Sequence, residues 1–126
     1  IHQGLAPNQI ILAGFSQGGA MAIHSGLRYP APLAGIMALS TYLVAPDKIH
    51  TEIHPESHAT PMLFCHGTHD RMVPLNRGKR AYETLAELNS ERQIEWNDYP
   101  MDHEVCLQEI QTIKDWLHQR FGFSLD

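Results

Sequence analysis

Short apolar runs alternate along the chain with longer stretches of helical periodicity. Mostly apolar runs cover Ile10 to Gly14, Leu33 to Ser40 and Pro61 to His66. Such continuous runs are typical of strands buried on both faces of a parallel sheet. The segment Arg92 to Tyr99 alternates polar with apolar residues, as a half-exposed strand at a sheet edge does. The pattern therefore predicts four strands, one of them at an edge.

Three helices are predicted by apolar residues spaced three, four or seven positions apart. They cover residues 17–29, ended by Pro30, then Leu75 to Asn89, and finally about Glu104 to Phe121. Their apolar stripes are Ala20, Ile23 and Leu27; Ala81, Leu85 and Leu88; and Cys106, Ile110, Ile113, Leu117 and Phe121. We expect Asp102 or His103 to cap the last helix.

The order of these elements predicts an α/β fold. Strands alternate with helices, which implies a parallel sheet covered by helices on both faces. In such sheets, functional groups gather beyond the carboxyl ends of the strands. The longest irregular stretch, Thr41 to Thr60, is long enough to suggest a functional loop.

Composition narrows the possible partners and the compartment. The 126 residues fit one domain, and the net charge of −5 argues against a nucleic-acid or anionic-membrane partner. No apolar run approaches the ~20 residues of a membrane span. We interpret Cys65 and Cys106 as reduced thiols, Cys65 being a small buried apolar side chain, and predict a cytoplasmic protein.

A G-x-S-x-G motif lies where the first predicted strand meets the first helix. Gly14, Ser16 and Gly18 form it, and this context distinguishes a nucleophile turn from a chance match. We expect a strained backbone at Ser16 and steric crowding at both glycines. The N–H of Gln17 is the expected oxyanion donor, because that residue follows the nucleophile. A glycine-rich turn with a serine cap is the simpler alternative.

Two further strand ends supply an acid and a base for such a serine. Asp70 follows the third strand, and His103 follows the fourth. The chain order Ser16, Asp70, His103 is that of a hydrolase triad. A solvated turn aspartate and a loop histidine remain the alternatives. His66 is the second choice of base, although we expect it to hydrogen-bond the Asp70 loop.

The histidine content raises the possibility of a metal site. His50, His54 and His58 recur every four residues, but Pro55 interrupts any helix that could align them. We interpret them as solvated loop residues and predict neither a metal nor a cofactor.

The nucleophile segment resembles that of the phospholipase/carboxylesterase family, which includes acyl-protein thioesterases and lysophospholipases. The resemblance is carried by Ile11 to Ala20, Leu33 to Ile36, Ala38 to Ser40, His66-Gly67 with Asp70, Val73-Pro74, and His103 before the last helix. It implies an α/β-hydrolase that cleaves carboxyl esters, thioesters or lysophospholipids without a cofactor. It also implies that Ser16 is the nucleophile, Asp70 the acid and His103 the base.

The resemblance further implies which residues contact the substrate. The residues that would wall the acyl site or lie near its rim are Thr41, Tyr42, Leu43, Met72 and Val73. Two positions depart from the family pattern. Tyr42 stands where some members have Trp, and Asp102 stands where Gly usually precedes the histidine.

Two other functions remain open: a related hydrolase with a different leaving group, such as a peptidase or lactonase, and a catalytically silent binding domain. The family's fold has earlier strands, one of which leads to a second oxyanion loop. We therefore expect residues 1–126 to form a single partial domain, the C-terminal part of an α/β-hydrolase, that is weakly active or inactive alone. Its exposed strand, Ile10 to Gly14, is expected to pair with a second copy or with a missing N-terminal half.

Overall fold

One parallel sheet of four strands organises the chain. The computed structural model describes residues 6–44 and 48–121. The strands are β1 (Ile11–Phe15), β2 (Gly35–Leu39), β3 (Met62–Gly67) and β4 (Ile94–Tyr99). They lie side by side in chain order, and each neighbouring pair is parallel. The four predicted strands are confirmed, with ends that differ by at most two residues. The expectation that the first strand is buried on both faces is wrong, because β1 is an outer strand of the described sheet and none of its residues is fully buried.

Helices cover both faces of this sheet, as the sequence predicts. The helices are α1 (Gln17–Leu27), α2 (Ile49–Glu52), α3 (Leu75–Leu88) and α4 (Leu107–Phe121). On one face, α1 and α3 bury a core that includes Ile23, Leu27, Ile36, Phe64 and Leu85. On the other face, Met37, Leu63, Cys65, Tyr99 and Trp116 form the core beneath α4. Burial of this apolar surface is the main term that stabilises the layers.

The segment between β2 and β3 is more ordered than its sequence suggests. It contains the single helical turn α2 and a 3-10 turn at Pro55–Ser57. The side chain of Ile49 is buried in the core beside α1 and α3. The expectation of a wholly irregular stretch from Thr41 to Thr60 is therefore wrong within the part that the structure describes.

The start of the last helix also differs from the prediction. Helix α4 begins at Leu107 rather than near Glu104, so neither Asp102 nor His103 lies at its N-terminal cap. Both residues belong to the loop between β4 and α4. Asp102 accepts hydrogen bonds from groups outside the helix instead, and these determine the course of that loop.

The buried face of α4 is rotated relative to the predicted stripe. Ile110 is 51% exposed and Phe121 is 37% exposed, whereas Glu109 is fully buried and Trp116 nearly so. The cause is the packing of Trp116 on Gly35, where an added Cβ would lie 2.4 Å from the indole ring. Because residues seven positions apart share a helix face, seating Trp116 on the sheet also turns Glu109 inward.

The two outer strands differ in the surface they present. β4 pairs only with β3 among the described residues, which confirms the predicted edge strand. β1 likewise pairs only with β2 within residues 6–44 and 48–121. In the described chain, no helix combines the length and the apolar character needed to cross a membrane.

Candidate active site

Ser16 lies in a strained turn between β1 and α1. Its φ of 58° and ψ of −121° place it in the left-handed half of backbone space, which non-glycine residues rarely adopt. Its N–H donates to the Leu39 carbonyl over 2.8 Å. The Thr41 hydroxyl donates to the Ser16 carbonyl over 2.6 Å. The end of β2 therefore holds the turn through both backbone groups of Ser16, and the predicted strain is confirmed.

Only one of the two motif glycines is crowded. A Cβ at Gly14 would lie 2.2 Å from the Gly18 backbone, as predicted, but a Cβ at Gly18 would meet nothing within 4 Å. The prediction for Gly18 is wrong, because its own Cβ would project away from β1. The second crowded position is Gly19, where a Cβ would lie 2.8 Å from both the Gly14 carbonyl oxygen and the Thr41 Cβ.

Gln17 is the first residue of α1 and is exposed. The Ala20 N–H donates to the Ser16 carbonyl over 3.1 Å, which closes the first turn. The N–H groups ahead of Ala20, that of Gln17 included, have no carbonyl partner within the helix. They lie at the positive end of the helix dipole, which favours negative charge beside Ser16.

Asp70 and His103 are joined by a direct hydrogen bond. Their Oδ2 and Nδ1 atoms lie 2.8 Å apart. The other oxygen of Asp70, Oδ1, accepts from the N–H groups of Met72 (2.9 Å) and Val73 (2.8 Å). The Asp70 side chain is fully buried, and that of His103 is 15% exposed. An ionised Asp70 holds the proton of His103 on Nδ1, which leaves Nε2 as the basic nitrogen.

The surroundings of Asp70 favour its ionised form. Burial alone would raise the pKa of this carboxyl group. The hydrogen bonds from the Val73 N–H, His103 and the Met72 N–H outweigh that effect, so the pKa of Asp70 lies below its ordinary value. Asp70 is therefore a carboxylate at neutral pH and can stabilise a positively charged imidazole.

His66 supports the loop of Asp70, as expected. Its Nε2 lies 2.8 Å from the Val73 carbonyl oxygen and 3.7 Å from Asp70 Oδ2. The ring is packed so closely against α3 that a Cβ at Gly78 would come within 2.4 Å of it. His66 is therefore fixed as a buried support, and His103 is the histidine that faces the mouth of the site.

His103 also lies against the residue that precedes Ser16. The rings of Phe15 and His103 have centroids 4.6 Å apart and are tilted by 42°. No hydrogen bond joins the Ser16 hydroxyl to the His103 ring among the described residues. Such hydrogen bonds are often long in hydrolases without substrate and tighten when substrate binds. The structure thus brings Asp70 and His103 into contact and places the Ser16 turn beside them.

Asp102 forms a second bridge between the two loops, here called the Arg71–Asp102 clamp. Its Oδ2 accepts from the Arg71 side chain at 2.7 Å (Nε), and its Oδ1 accepts from the Arg71 N–H at 3.0 Å. Oδ1 also accepts from the His103 N–H at 2.7 Å. The bonds from the Arg71 N–H and guanidinium lower the pKa of Asp102 to about 2. The clamp thus ties together the neighbours of Asp70 and His103, a role that the sequence analysis missed.

The five residues expected to contact substrate occupy different environments. Thr41 and Val73 are buried, and their polar groups hold Ser16 and Asp70. Leu43 belongs to the core, and Met72 is 73% exposed at the mouth of the site. Tyr42 is half-buried and lines a cavity between its loop and α3. Their contact with substrate remains a prediction.

Ser40 is a strained residue that the sequence analysis did not single out. Its φ is 51°, it is fully buried, and its N–H donates to the Cys65 carbonyl over 2.7 Å. It directly follows β2 and precedes Thr41, so its conformation turns the chain toward the Ser16 loop. The one feature of the sequence that could have pointed to Ser40 was its position at the end of a predicted buried strand.

The loop histidines have separate partners. His54 Nδ1 accepts from the Glu56 N–H, and His58 Nδ1 lies 3.3 Å from the Asn89 side-chain amide. The side chain of His50 lies outside the described part of the structure. Among the residues that are described, no three His, Cys, Asp or Glu side chains are grouped as metal ligands.

Comparisons with known proteins show which family the chain resembles. The family model described as phospholipase/carboxylesterase matches residues 1–120. Acyl-protein thioesterase 1 of Neurospora crassa is 37% identical over 124 residues, which cover 95% of this chain and 49% of the relative. Carboxylesterase SOBER1 of Arabidopsis thaliana is 34% identical over 125 residues, which cover 98% of this chain and 54% of the relative.

Solved structures show the same relationship. The crystal structure of Arabidopsis thaliana SOBER1 superposes with a TM-score of 0.86 at 32% identity, covering 95% of this chain and 57% of that one. The crystal structure of esterase PE8 superposes with a TM-score of 0.83 at 35% identity, covering 94% and 53%. The chain thus spans about half the length of the curated relatives it matches. With its parallel sheet and the matched residues 1–120, the chain belongs to the phospholipase/carboxylesterase family of α/β-hydrolases.

Proposed function

We propose that this chain carries the catalytic triad of a serine hydrolase that cleaves carboxyl esters, including thioesters and lysophospholipids. The single observation that carries the proposal is the Asp70–His103 hydrogen bond beside the strained Ser16 turn. The relatives named as acyl-protein thioesterase and carboxylesterase support the bond type. The free cysteines agree with a cytoplasmic location, which we include in the proposal.

The reaction would proceed through an acyl-enzyme. His103 takes the proton of Ser16 as the serine oxygen attacks the acyl carbon, and Asp70 stabilises the resulting imidazolium. His103 then protonates the leaving alcohol or thiol. Water repeats the sequence on the acyl-enzyme, releasing the carboxylic acid and restoring Ser16. In this scheme Ser16 Oγ must approach Nε2 of His103, the ring nitrogen that Asp70 leaves free.

The oxyanion of each tetrahedral intermediate needs hydrogen-bond donors. The Gln17 N–H, at the start of α1, is one that this chain supplies. A second donor in this fold comes from a loop after an earlier strand. We propose that the edge of β1 that has no partner strand within residues 6–44 and 48–121 accepts further strands, from a longer form of the protein or from a second copy. Tyr42 and Met72 would contact the substrate directly, while Thr41, Leu43 and Val73 shape the site from behind.

Hydrolysis of p-nitrophenyl acetate and butyrate, with and without Ser16→Ala, tests the proposed function. We expect turnover to disappear in the variant, and Ser25→Ala, on the exposed side of α1, to serve as the matched control. Because losing one oxyanion donor costs about 10²–10³ in rate, the assay is designed to detect slow turnover. Measurable turnover that is equal in wild type and Ser16→Ala would exclude the triad. Faster cleavage of a lactone or peptide would instead favour the other leaving groups.

A further inference from the structure

A cavity of about 220 Å³ lies between the loop after β2 and helix α3. Tyr42 and Leu43 line it on the loop side, and Arg77 and Arg80 line it on the helix side. Tyr42 directly follows Thr41, whose hydroxyl donates to the Ser16 carbonyl. One wall of the cavity is therefore one residue along the chain from a direct contact of the Ser16 turn.

The cavity is positively charged in a protein whose net charge is −5. Among the described residues that line it, two are arginines and none is acidic. Neither Arg77 nor Arg80 forms an ion pair within residues 6–44 and 48–121. The first turn of α3 also contains no acidic side chain. Neither guanidinium group therefore has a carboxylate within ion-pair distance in this part of the chain.

Arg77 contacts an aromatic ring and, among the described residues, no carboxylate. Its guanidinium carbon lies 4.3 Å from the centroid of the Tyr42 ring, in a cation–π arrangement. This contact places the guanidinium of Arg77 against the face of the Tyr42 ring. A guanidinium binds a carboxylate or phosphate through paired hydrogen bonds.

We propose that this cavity is an anion subsite, and that the favoured substrates are esters that carry a carboxylate or a phosphate. This inference rests on the proposed function, because it names the substrate class of the same site. Arg77 and Arg80 would pair with the anion, and Tyr42 would both orient Arg77 and border the ester. The charge can lie on the acyl part or on the alcohol part, two arrangements that share the same recognition chemistry.

Two matched pairs of esters separate these arrangements. p-Nitrophenyl butyrate and p-nitrophenyl hydrogen succinate differ by a charge on the acyl part. Phenyl acetate and 4-acetoxybenzoate differ by a charge on the alcohol part. We expect Arg77→Gln and Arg80→Gln each to lower the charged-to-neutral ratio of kcat/KM about tenfold in at least one pair, since each removes a charge-assisted hydrogen bond. The neutral ester of each pair is the reference, so a loss of activity that is common to both esters cancels in the ratio.

Lys79→Gln is the matched control, because it removes the same charge from the same helix. The Lys79 nitrogen lies 5.0 Å from the centroid of the Trp96 ring, so it faces β4 rather than the cavity. A ratio that is unchanged in both ester pairs, or that falls equally in Lys79→Gln, would overturn the anion subsite.

If wild type cleaves none of the four esters, esterase activity of this chain is unsupported, and binding alone then tests the subsite. Inorganic phosphate would be titrated while the guanidinium NMR signals of Arg77 and Arg80 are followed. Saturable shifts that are lost in Arg77→Gln would support the subsite, and their absence in wild type would overturn it.

Discussion

Asp70 Oδ2 and His103 Nδ1 lie 2.8 Å apart, although the two residues are 33 positions apart in the chain. The contact forms because β3 and β4 are parallel neighbours, which brings the loops at their carboxyl ends together. An asparagine at position 70 would keep the shape of the side chain but not its charge. Its amide can hold His103 in the opposite tautomer. We expect Asp70→Asn to lower kcat by about 10⁴ with little change in KM, as loss of a triad carboxylate does elsewhere.

Asp98→Asn, in the exposed part of β4, is the matched control for Asp70→Asn. Its carboxylate accepts from the Trp96 indole N–H over 2.8 Å and lies outside the candidate site. Steady-state kinetics on one neutral ester would measure both variants. Similar rate losses in the two would contradict an orienting role for Asp70.

The Arg71–Asp102 clamp predicts coupled effects on catalysis. Arg71→Ala and Asp102→Ala should each lower kcat by less than Asp70→Asn does, because main-chain hydrogen bonds also hold both loops. The kcat of the double variant should be no lower than that of the less active single variant, since both changes break the same bridge. Because the pKa of Asp102 is about 2, these effects should not vary between pH 5 and pH 9. Simple additivity of the two losses would count against the clamp.

The nucleophile turn predicts a contrast between two neighbouring glycines. Gly14→Ala should severely destabilise the protein, because its Cβ would lie 2.2 Å from the Gly18 backbone. Gly18→Ala should leave the free energy of unfolding unchanged or slightly higher, because its Cβ meets open space and alanine favours the helix. Urea unfolding of both variants measures the contrast. A stable Gly14→Ala would show that the turn is looser than described.

The buried Glu109 predicts a pH dependence of stability. Burial raises its pKa to about 7 from an ordinary 4.5, so the folded state holds the proton more tightly than the unfolded state does. The contribution of Glu109 to the stability of the folded state is therefore greatest below pH 4.5, and it is lost as the pH rises through 7. The free energy of unfolding of wild type should therefore fall relative to that of Glu109→Gln by on the order of 2 kcal/mol when the pH is raised from 5 to 8.

Chemical unfolding at the two pH values measures the effect of Glu109→Gln. Glu87→Gln, on the exposed side of α3, removes the same charge without a buried group and is the matched control. A difference between wild type and Glu109→Gln that stays constant from pH 5 to pH 8 would show that Glu109 titrates normally in the folded protein.

Much of the fold was predictable because its signals are local. The apolar run at Ile10 to Gly14 and the stripe of Ala20, Ile23 and Leu27 correspond to β1 and to the buried face of α1. The rotation of α4 was not predictable, because it depends on how Trp116 packs against Gly35, far away in the chain. The spacing of apolar residues alone predicts that Ile110 belongs to the core, and only the contact between Trp116 and Gly35 shows otherwise.

The candidate site also has some features that were predictable from the sequence and others that were not. Ser16, Asp70 and His103 each follow a predicted strand, so the order of the elements was enough to make them candidates. The Arg71–Asp102 clamp and the arginines of the cavity depend on side-chain pairs that only the folded chain brings together. Asp102 was assigned to a helix cap because its sequence neighbours suggested one, whereas its partner lies 31 positions away.

Covalent labelling of Ser16 by a fluorophosphonate probe tests the proposed triad most directly. The probe phosphonylates a serine that a neighbouring base activates, so peptide mass spectrometry should locate a single adduct on Ser16. His103→Gln should slow the labelling strongly, and Ser25→Ala should not change it. An adduct on another serine, or equal labelling of wild type and His103→Gln, would contradict the triad of Ser16, Asp70 and His103.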